Sequence, residues 1–552
     1  MKHIVVFVLV LSFVTPVVVA QDYTASFSAE KIRARVKRLS ADDFEGRGPG
    51  TAGGRKAAQW IADELKAAGV RPGNARRSYI QNVKLVGIKA DPNTRLNITG
   101  GRDDHSLKFG DEFVATTGAQ TGNVSVDGEI VFVGHGIDAP NEKWNDYSGP
   151  ATDYRGKVLM ILVNDPPATD REPKLFGGRG LTYYGRWTYK YEEAARRGAA
   201  GVILVHTTES AGYGWNVVRT SNGNWRYEIA RPPGDKTPFL RMKSWATYDA
   251  AEKLLKSAKL DLDDLTKAAK KRGFKTVKTG LRANINLKSE TQTFNSPNVV
   301  GMVQGSDPRL SSEYVIYTAH WDHLGIGEAD ATGDKIYNGA YDNASGVAAV
   351  LGIAEAVAKL PRRQRPKRSM YFLFPTAEEQ GLLGAEYFAT KPLIPLNKIA
   401  GNVNMDGVNF FGKTSDFTPL GAERSSIQPL VAEIAAQRKL TIEADSRPEQ
   451  GFFFRSDHFP LAKVGIPAVH LRHGDAFLSP LTGQALTFFR EYTAKYYHQP
   501  SDEYQDWWDT DAMIQNTELG YAIGIAIANA PKMPRYKDSD EFSAADKRRF
   551  AR

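Results

Sequence analysis

From Ser296-Pro297-Asn298-Val299-Val300 onward the chain alternates short apolar runs with stretches of helical periodicity, and this rhythm constrains its fold more than any other feature. The pattern predicts a strand at 314–318, a helix at 345–359, a strand at 369–374, a helix at 382–389 and a strand at 401–405. Alternation of this kind implies an α/β fold, with a largely parallel sheet clothed by helices. Two earlier helices, at 30–39 and 54–68, fit the same unit, the second closed by Gly69. Between them, Phe44-Glu45-Gly46-Arg47-Gly48-Pro49-Gly50-Thr51 forms a glycine-rich turn.

At 552 residues the chain is too long for one hydrophobic core, so two compact units are expected. The texture changes near residue 111 to short β-like runs, such as 128–133 and 157–163, broken by Gly, Asp, Asn and Pro. One helix at 189–197 leads through Gly198-Ala199-Ala200-Gly201 into an apolar strand at 202–206. This reads as a mixed or mostly β module over 111–292, inserted between parts of the α/β unit at 21–110 and 293–530. Residues 531–552 are charged and poor in apolar side chains, which predicts a frayed tail.

Residues 1–20 have the makeup of a secretory signal: Lys2, an apolar run from Ile4 to Leu11, and the small-residue site Val18-Val19-Ala20. The mature chain is then expected to begin near Gln21, secreted or periplasmic. The rival reading is an uncleaved anchor, but Ser12, Thr15 and Pro16 interrupt a stretch already short for a span. No later segment is apolar over a bilayer's width, so no stable membrane anchor is expected after cleavage. The chain has no cysteine, which excludes disulfides, thiolate ligands and a thiol nucleophile. Any tightly held metal must rest on nitrogen and oxygen. The net charge of +9 is modest for this length. The basic run 361–368 lacks aromatic stacking platforms, so it reads as a solvated loop and no nucleic-acid partner is expected.

Candidate ligands follow the carboxyl ends of the predicted strands, the edge where ligands bind in open α/β sheets. His320 lies beyond the strand ending at Thr318, Glu378 and Glu379 beyond Phe374, and Asp406 beyond Met405. Two cations about 3.5–4 Å apart need a shared ligand, and a short carboxylate can supply it. Asp342 is the candidate bridge, at the mouth of a helix that Asn343 or Ser345 can cap. His320 and Asp406 then serve one ion, Glu379 and His498 the other, leaving positions for water and substrate. Imidazole and carboxylate ligands without sulfur suit two Zn2+ ions, although Mn2+ or Co2+ can occupy such a cage.

Adjacent glutamates point different ways, so if Glu379 reaches a metal, Glu378 can face the water, where it can act as general base and pass the proton to a leaving amine. Asp322 is placed to accept the second N–H of His320 and fix its tautomer. Tyr497 can direct a hydroxyl toward a developing oxyanion. The other late histidines, His323, His458, His470 and His473, read as surface, core or supporting groups.

Thr318-Ala319-His320-Trp321-Asp322, Asn338–Gly346, Glu378–Gly384, Asn404-Met405-Asp406 and Tyr497–Asp502 together resemble the M28 family of zinc peptidases, a group that includes leucine-type aminopeptidases and glutamate carboxypeptidases. The resemblance spans about residues 295–525, with 44–70 like the family's leading segment. It implies a phosphorylase/hydrolase-like α/β/α sandwich with a mostly parallel mixed sheet. It also implies the same ligands, His320, Asp342, Glu379, Asp406 and His498, with Glu378 as base. A cis peptide bond between Asp342 and Asn343 is part of the same expectation, as is a substrate-binding role for Arg455 in Arg455-Ser456-Asp457-His458. Residues 133–137, 153–158 and 194–205 resemble a protease-associated domain, which would act as a lid, a restriction on substrates or a binding surface.

The function these features imply is an exported dinuclear zinc exopeptidase acting on peptides, first of all an aminopeptidase. A carboxypeptidase of the same fold would require a cationic pocket for a terminal carboxylate, which the sequence does not locate. A non-catalytic receptor using the inserted module would be expected to have lost ligands, and none is missing. A cyclising or other acyl-transfer variant has the same scaffold.

Overall fold

The computed structural model describes residues 25–551, so the signal-like segment 1–20 lies outside the described residues. Its larger sheet runs in the order Arg226–Ile229, Ile80–Ala90, Val277–Val303, Ser369–Phe374, Tyr314–Thr318, Ile399–Met405, Ala468–His473, Asp416–Leu420 and Thr441–Ile442. The strands from Ser369–Phe374 to Ala468–His473 are parallel to one another. Their neighbours on either side are antiparallel.

Side chains alternate between two cores. Val315, Tyr317, Met370, Phe372 and Phe374 face a cluster built with helices Ala29–Leu39, Ala52–Ala67, Ser345–Lys359 and Thr510–Asn529. Ile316, Tyr371 and Leu373 face the opposite cluster, which contains Phe388 of Leu383–Thr390 and Leu461 of His458–Lys463. That period of two with both faces covered is the α/β/α sandwich, and it explains why the central strands read as unbroken apolar runs. Helix Thr510–Asn529 lies close against the sheet because of Gly524, where a Cβ would stand 1.9 Å from the Tyr317 hydroxyl.

The second sheet runs His105–Lys108, Arg95–Thr99, Val277–Val303, Asn123–Phe132, Val158–Leu162, Gly201–His206, Met242–Thr247 and Phe113–Thr116. It starts earlier than the change of texture at residue 111 suggests, because buried Leu96 and Ile98 alternate with polar Arg95, Asn97 and Thr99. The unit is mixed in character: helix Trp187–Arg196 covers one face, Tyr248–Ser257 and Leu262–Ala269 the other.

The two sheets share a strand. Val277–Val303 is continuous over 27 residues, pairing with Asn123–Phe132 in its first half and with Ile80–Ala90 and Ser369–Phe374 in its second. The strand Arg226–Ile229, sequentially inside the second unit, extends the edge of the larger sheet.

The tail expected to fray is instead docked. Tyr536 and Phe542 are buried with Phe453, Phe454 and Phe459, and helix Ser543–Arg548 presents Asp546 to Arg535 and Arg549 at 2.8 and 2.9 Å. A low count of apolar residues misleads here because two large rings suffice to anchor a short segment. Among the described residues no helix is long and apolar enough to cross a membrane.

Candidate metal centre

The register that pairs Thr318 with both Leu373 and Asn404 brings the ends of three parallel strands level. His320, Glu378 with Glu379, and Asp406 therefore emerge at one edge. Asp342 reaches the same place from the turn Ala340–Ala344 that precedes helix Ser345–Lys359. Asn343 secures that turn: its Nδ2 donates to the Met405 carbonyl at 3.0 Å, and its Oδ1 accepts from the N–H groups of Gly346 at 3.0 Å and Gly407 at 3.2 Å. One side chain thus caps the helix and ties the Asp342 turn to the Asp406 loop. Ser345, the other candidate cap, donates to the Tyr341 carbonyl instead. A Cβ at Gly346 would lie 2.3 Å from the Met405 carbonyl oxygen, so this approach requires glycine. The peptide bond from Asp342 to Asn343 is cis.

The convergence is close. His320 Nε2 lies 3.2 Å from Asp342 Oδ1, 3.4 Å from Asp406 Oδ1 and 3.9 Å from Glu378 Oε2. His498 Nε2 lies 3.8 Å from Asp342 Oδ2 and 2.7 Å from Glu379 Oε2. The two oxygens of Asp342 therefore face two different imidazoles, the arrangement of a bridging carboxylate.

Charge in the cage is unbalanced. Burial pushes Glu378 well above the usual carboxylate range, reinforced by Glu379 and Asp406. Burial alone would raise Glu379, but His498 and His323 outweigh it and hold the group well below its ordinary value. Asp406 is likewise brought to about 2, His320 overcoming burial. Burial would lower His320, yet Glu378, Asp406 and Asp342 keep it well above the ordinary imidazole value. Crowded carboxylates thus draw positive charge inward.

The Nε2 atoms of His320 and His498 are buried and make no hydrogen bond. His320, Asp342 and Glu379 form one group of ligand atoms mutually within 4.8 Å, and His320, Glu378 and Asp406 form another. This donor set, nitrogen and oxygen only, fits a borderline divalent cation such as zinc.

Residues 298–522 match peptidase family M28. This stretch is an M28 peptidase domain. Related sequences include leupeptin-inactivating enzyme 1 of Streptomyces exfoliatus, 27% identical over 218 residues, covering 36% of this chain and 45% of that protein. Another is aminopeptidase NAALADL1 of Rattus norvegicus, 31% identical over 122 residues, covering 22% of this chain and 14% of that protein. The chain thus spans less than half the length of these curated relatives. An aminopeptidase from Aneurinibacillus sp. strain AM-1 shares the fold, with a TM-score of 0.51 over 93% of this chain and 95% of that one at 18% identity.

Within the M28 domain, the main-chain carbonyl of Asp322 contacts His320 Nδ1, at 3.2 Å. The Asp322 carboxylate, expected in that place, accepts the Glu378 N–H at 3.1 Å instead and so orients the Glu378-Glu379 loop. Tyr497 stacks on His498, with ring centroids 3.8 Å apart. Burial, with Glu379, Asp342 and Glu378, raises its phenol well above the usual range. Arg455 lines a cavity of about 470 Å3 that opens beside Glu378, Glu379, Tyr497 and His498.

Further groups support the cage, and of these the sequence singles out only His323, as one of several surface, core or supporting histidines. His323, fully buried, contacts Glu379 Oε1 through Nδ1 at 2.5 Å. Ser456 donates to Asp406 Oδ2 at 2.6 Å and accepts from Asn404. Asp502 accepts the N–H groups of Tyr341 and Asp342 at 2.9 and 3.0 Å. Arg47, 1% exposed, donates to the carbonyls of Trp321 at 2.8 Å, Leu39 and Gly339 at 2.9 Å, and also to that of Asn338. It binds the N-terminal segment to the loops carrying His320 and Asp342. The one available signal was its place in the glycine-rich turn, where Glu45, Gly46 and Arg47 all have positive φ.

Proposed function

We propose that the protein is an exported exopeptidase using two zinc ions, and that it acts as an aminopeptidase. The observation that carries this reading is the Asp342 carboxylate, with one oxygen toward His320 and the other toward His498, and Glu378 in the same cage. His320 and Asp406 would hold one ion, Glu379 and His498 the other, with Asp342 between them. Bound zinc supplies Lewis-acid polarisation of the scissile carbonyl and a more acidic water. Glu378 takes the proton of the attacking water and delivers it to the leaving amine. Tyr497, at the cavity wall, donates a hydrogen bond to the carbonyl oxygen as negative charge develops there. The family match and the signal-like composition of residues 1–20 support the peptidase and export parts of the reading.

The test compares peptides blocked at the amino end with peptides blocked at the carboxyl end, using zinc-loaded, metal-stripped and Glu378→Gln protein. Cleavage only with a free amino end, lost on stripping and in the variant, is the expected result. Equal turnover by Glu378→Gln would reject the proton-transfer role.

A further inference from the structure

The cavity beside the cage is built by both units, and its basic side chains are unequally matched. Lys243 is paired with Glu228, and Lys463 with Glu192 at 3.3 Å. Arg226 donates to the carbonyls of Ser221 and Gln380, both at 3.4 Å.

Arg186 and Arg455 stand apart. Arg186 precedes helix Trp187–Arg196 of the inserted unit, and its Nε is buried without a hydrogen-bond partner. Arg455 of the M28 domain also has an unpartnered buried Nε, while one Nη donates to the Ala211 carbonyl at 3.0 Å. Both guanidinium groups line this one cavity with Tyr183, Tyr213 and Tyr497, and the largest charge effect on Arg186 comes from Arg455. Burial, then Arg455, lowers Arg186 to about 10. Glu386 also lines the cavity, but burial, together with Glu192, raises it toward its neutral form.

A structural arginine in this protein looks different: Arg47 spends its donors on carbonyl oxygens. Two guanidinium groups that line one cavity, each with a buried Nε that no acceptor meets, carry a desolvation cost that a bound anion would offset. Their planar forks match a carboxylate in bidentate geometry.

We propose that Arg186 and Arg455 form a two-unit clamp for a carboxylate of the substrate, so that the enzyme acts on short peptides carrying a negative charge just beyond the scissile bond. The proposal rests on the peptidase reading above but not on which end is trimmed: in a dipeptide the terminal carboxylate lies just beyond the scissile bond for an aminopeptidase and a carboxypeptidase alike, and the end-blocked peptides above separate those two. The carboxylate has two sources, the free C-terminus of a dipeptide or an acidic second side chain, and the same clamp suits either.

Three substrates separate them: Leu-Ala as free acid, Leu-Ala amide, and Leu-Asp amide, each assayed with wild type, Arg186→Gln and Arg186→Lys. A wild-type kcat/KM at least tenfold higher for the free acid than for Leu-Ala amide assigns the terminal carboxylate. The same preference for Leu-Asp amide assigns the side chain. In either case the ratio should collapse toward one in Arg186→Gln, carried by KM, and be partly restored in Arg186→Lys. Ratios near one in wild type for both comparisons, or ratios unmoved by Arg186→Gln, overturn the clamp. If none of the substrates is hydrolysed, the peptidase reading fails. The clamp is then decided by calorimetry with N-acetylglycine and N-acetylglycinamide: tenfold tighter binding of the acid supports it, and equal binding refutes it.

Discussion

The cage and the cavity wall opposite it handle charge in contrasting ways. In the cage, Asp342, Glu379 and Asp406 each face an imidazole within 4 Å, and the assembly hangs from the ends of parallel strands. On the wall, Arg186 and Arg455 line one cavity with their Nε atoms unpartnered, and Arg186 comes from the unit built on the second sheet. The contrast separates a site assembled by the M28 domain alone from one that exists only when two units meet. On the function and the clamp proposed above, chemistry would belong to the first and selection among substrates to the second.

The sharpest way to break this division is at the bridge. Asp342→Asn removes the charge shared between two imidazoles, and we predict loss of both zinc ions and of measurable hydrolysis, read by metal content per chain and turnover together. Retention of one tightly held ion would show that Asp342 is not shared. Glu378→Gln should keep the metal and lower kcat by about 10²–10⁴-fold, the range for losing a general base. A variant that also loses zinc would make Glu378 a ligand.

Supporting groups should give smaller effects. Ser456→Ala removes the donor to Asp406 and should weaken zinc binding by about tenfold, measured by chelator competition. Arg47→Met leaves buried carbonyls without donors and should cost about 3 kcal/mol in denaturant unfolding. Unchanged stability would mean that the N-terminal segment is held by packing alone.

The smallest expected effect lies far from both regions. Glu355 joins helices Ala29–Leu39 and Ser345–Lys359: burial would raise its pKa, but Lys31, Lys359 and Arg35 outweigh that and bring it to about 2. Its ordinary value is near 4.5, so its contribution is fully present above that pH and fades as pH falls through about 2. Glu355→Gln should therefore cost about 1 kcal/mol at neutral pH after allowance for the exposed lysines, with the gap closing below pH 4. A gap constant from pH 7 to pH 2 would exclude the carboxylate as its source.

The α/β rhythm, the strands Tyr314–Thr318 and Ser369–Phe374, the helix Ser345–Lys359 and the strand-end positions of His320, Glu378, Glu379 and Asp406 were legible in the chain. Both faces of a central strand are covered, so its residues must be apolar, and ligands must follow its end. Groups that act across long sequence distances left little trace. Arg47 and Trp321 are 274 residues apart, and Arg455 meets Ala211 across 244. The docked tail was hidden for the same reason, since only the pocket around Phe453 gives Tyr536 and Phe542 somewhere to go.

By itself, then, the sequence determined the fold class and the donor atoms available for metal, because apolar periodicity and side-chain chemistry are local properties. Tertiary structure alone decided that one strand runs through both sheets, that the Asp322 backbone rather than its carboxylate meets His320, and that Arg186 and Arg455 line one cavity. Those outcomes depend on where distant segments come to rest, and hydrogen-bond direction and burial are set only once they have packed.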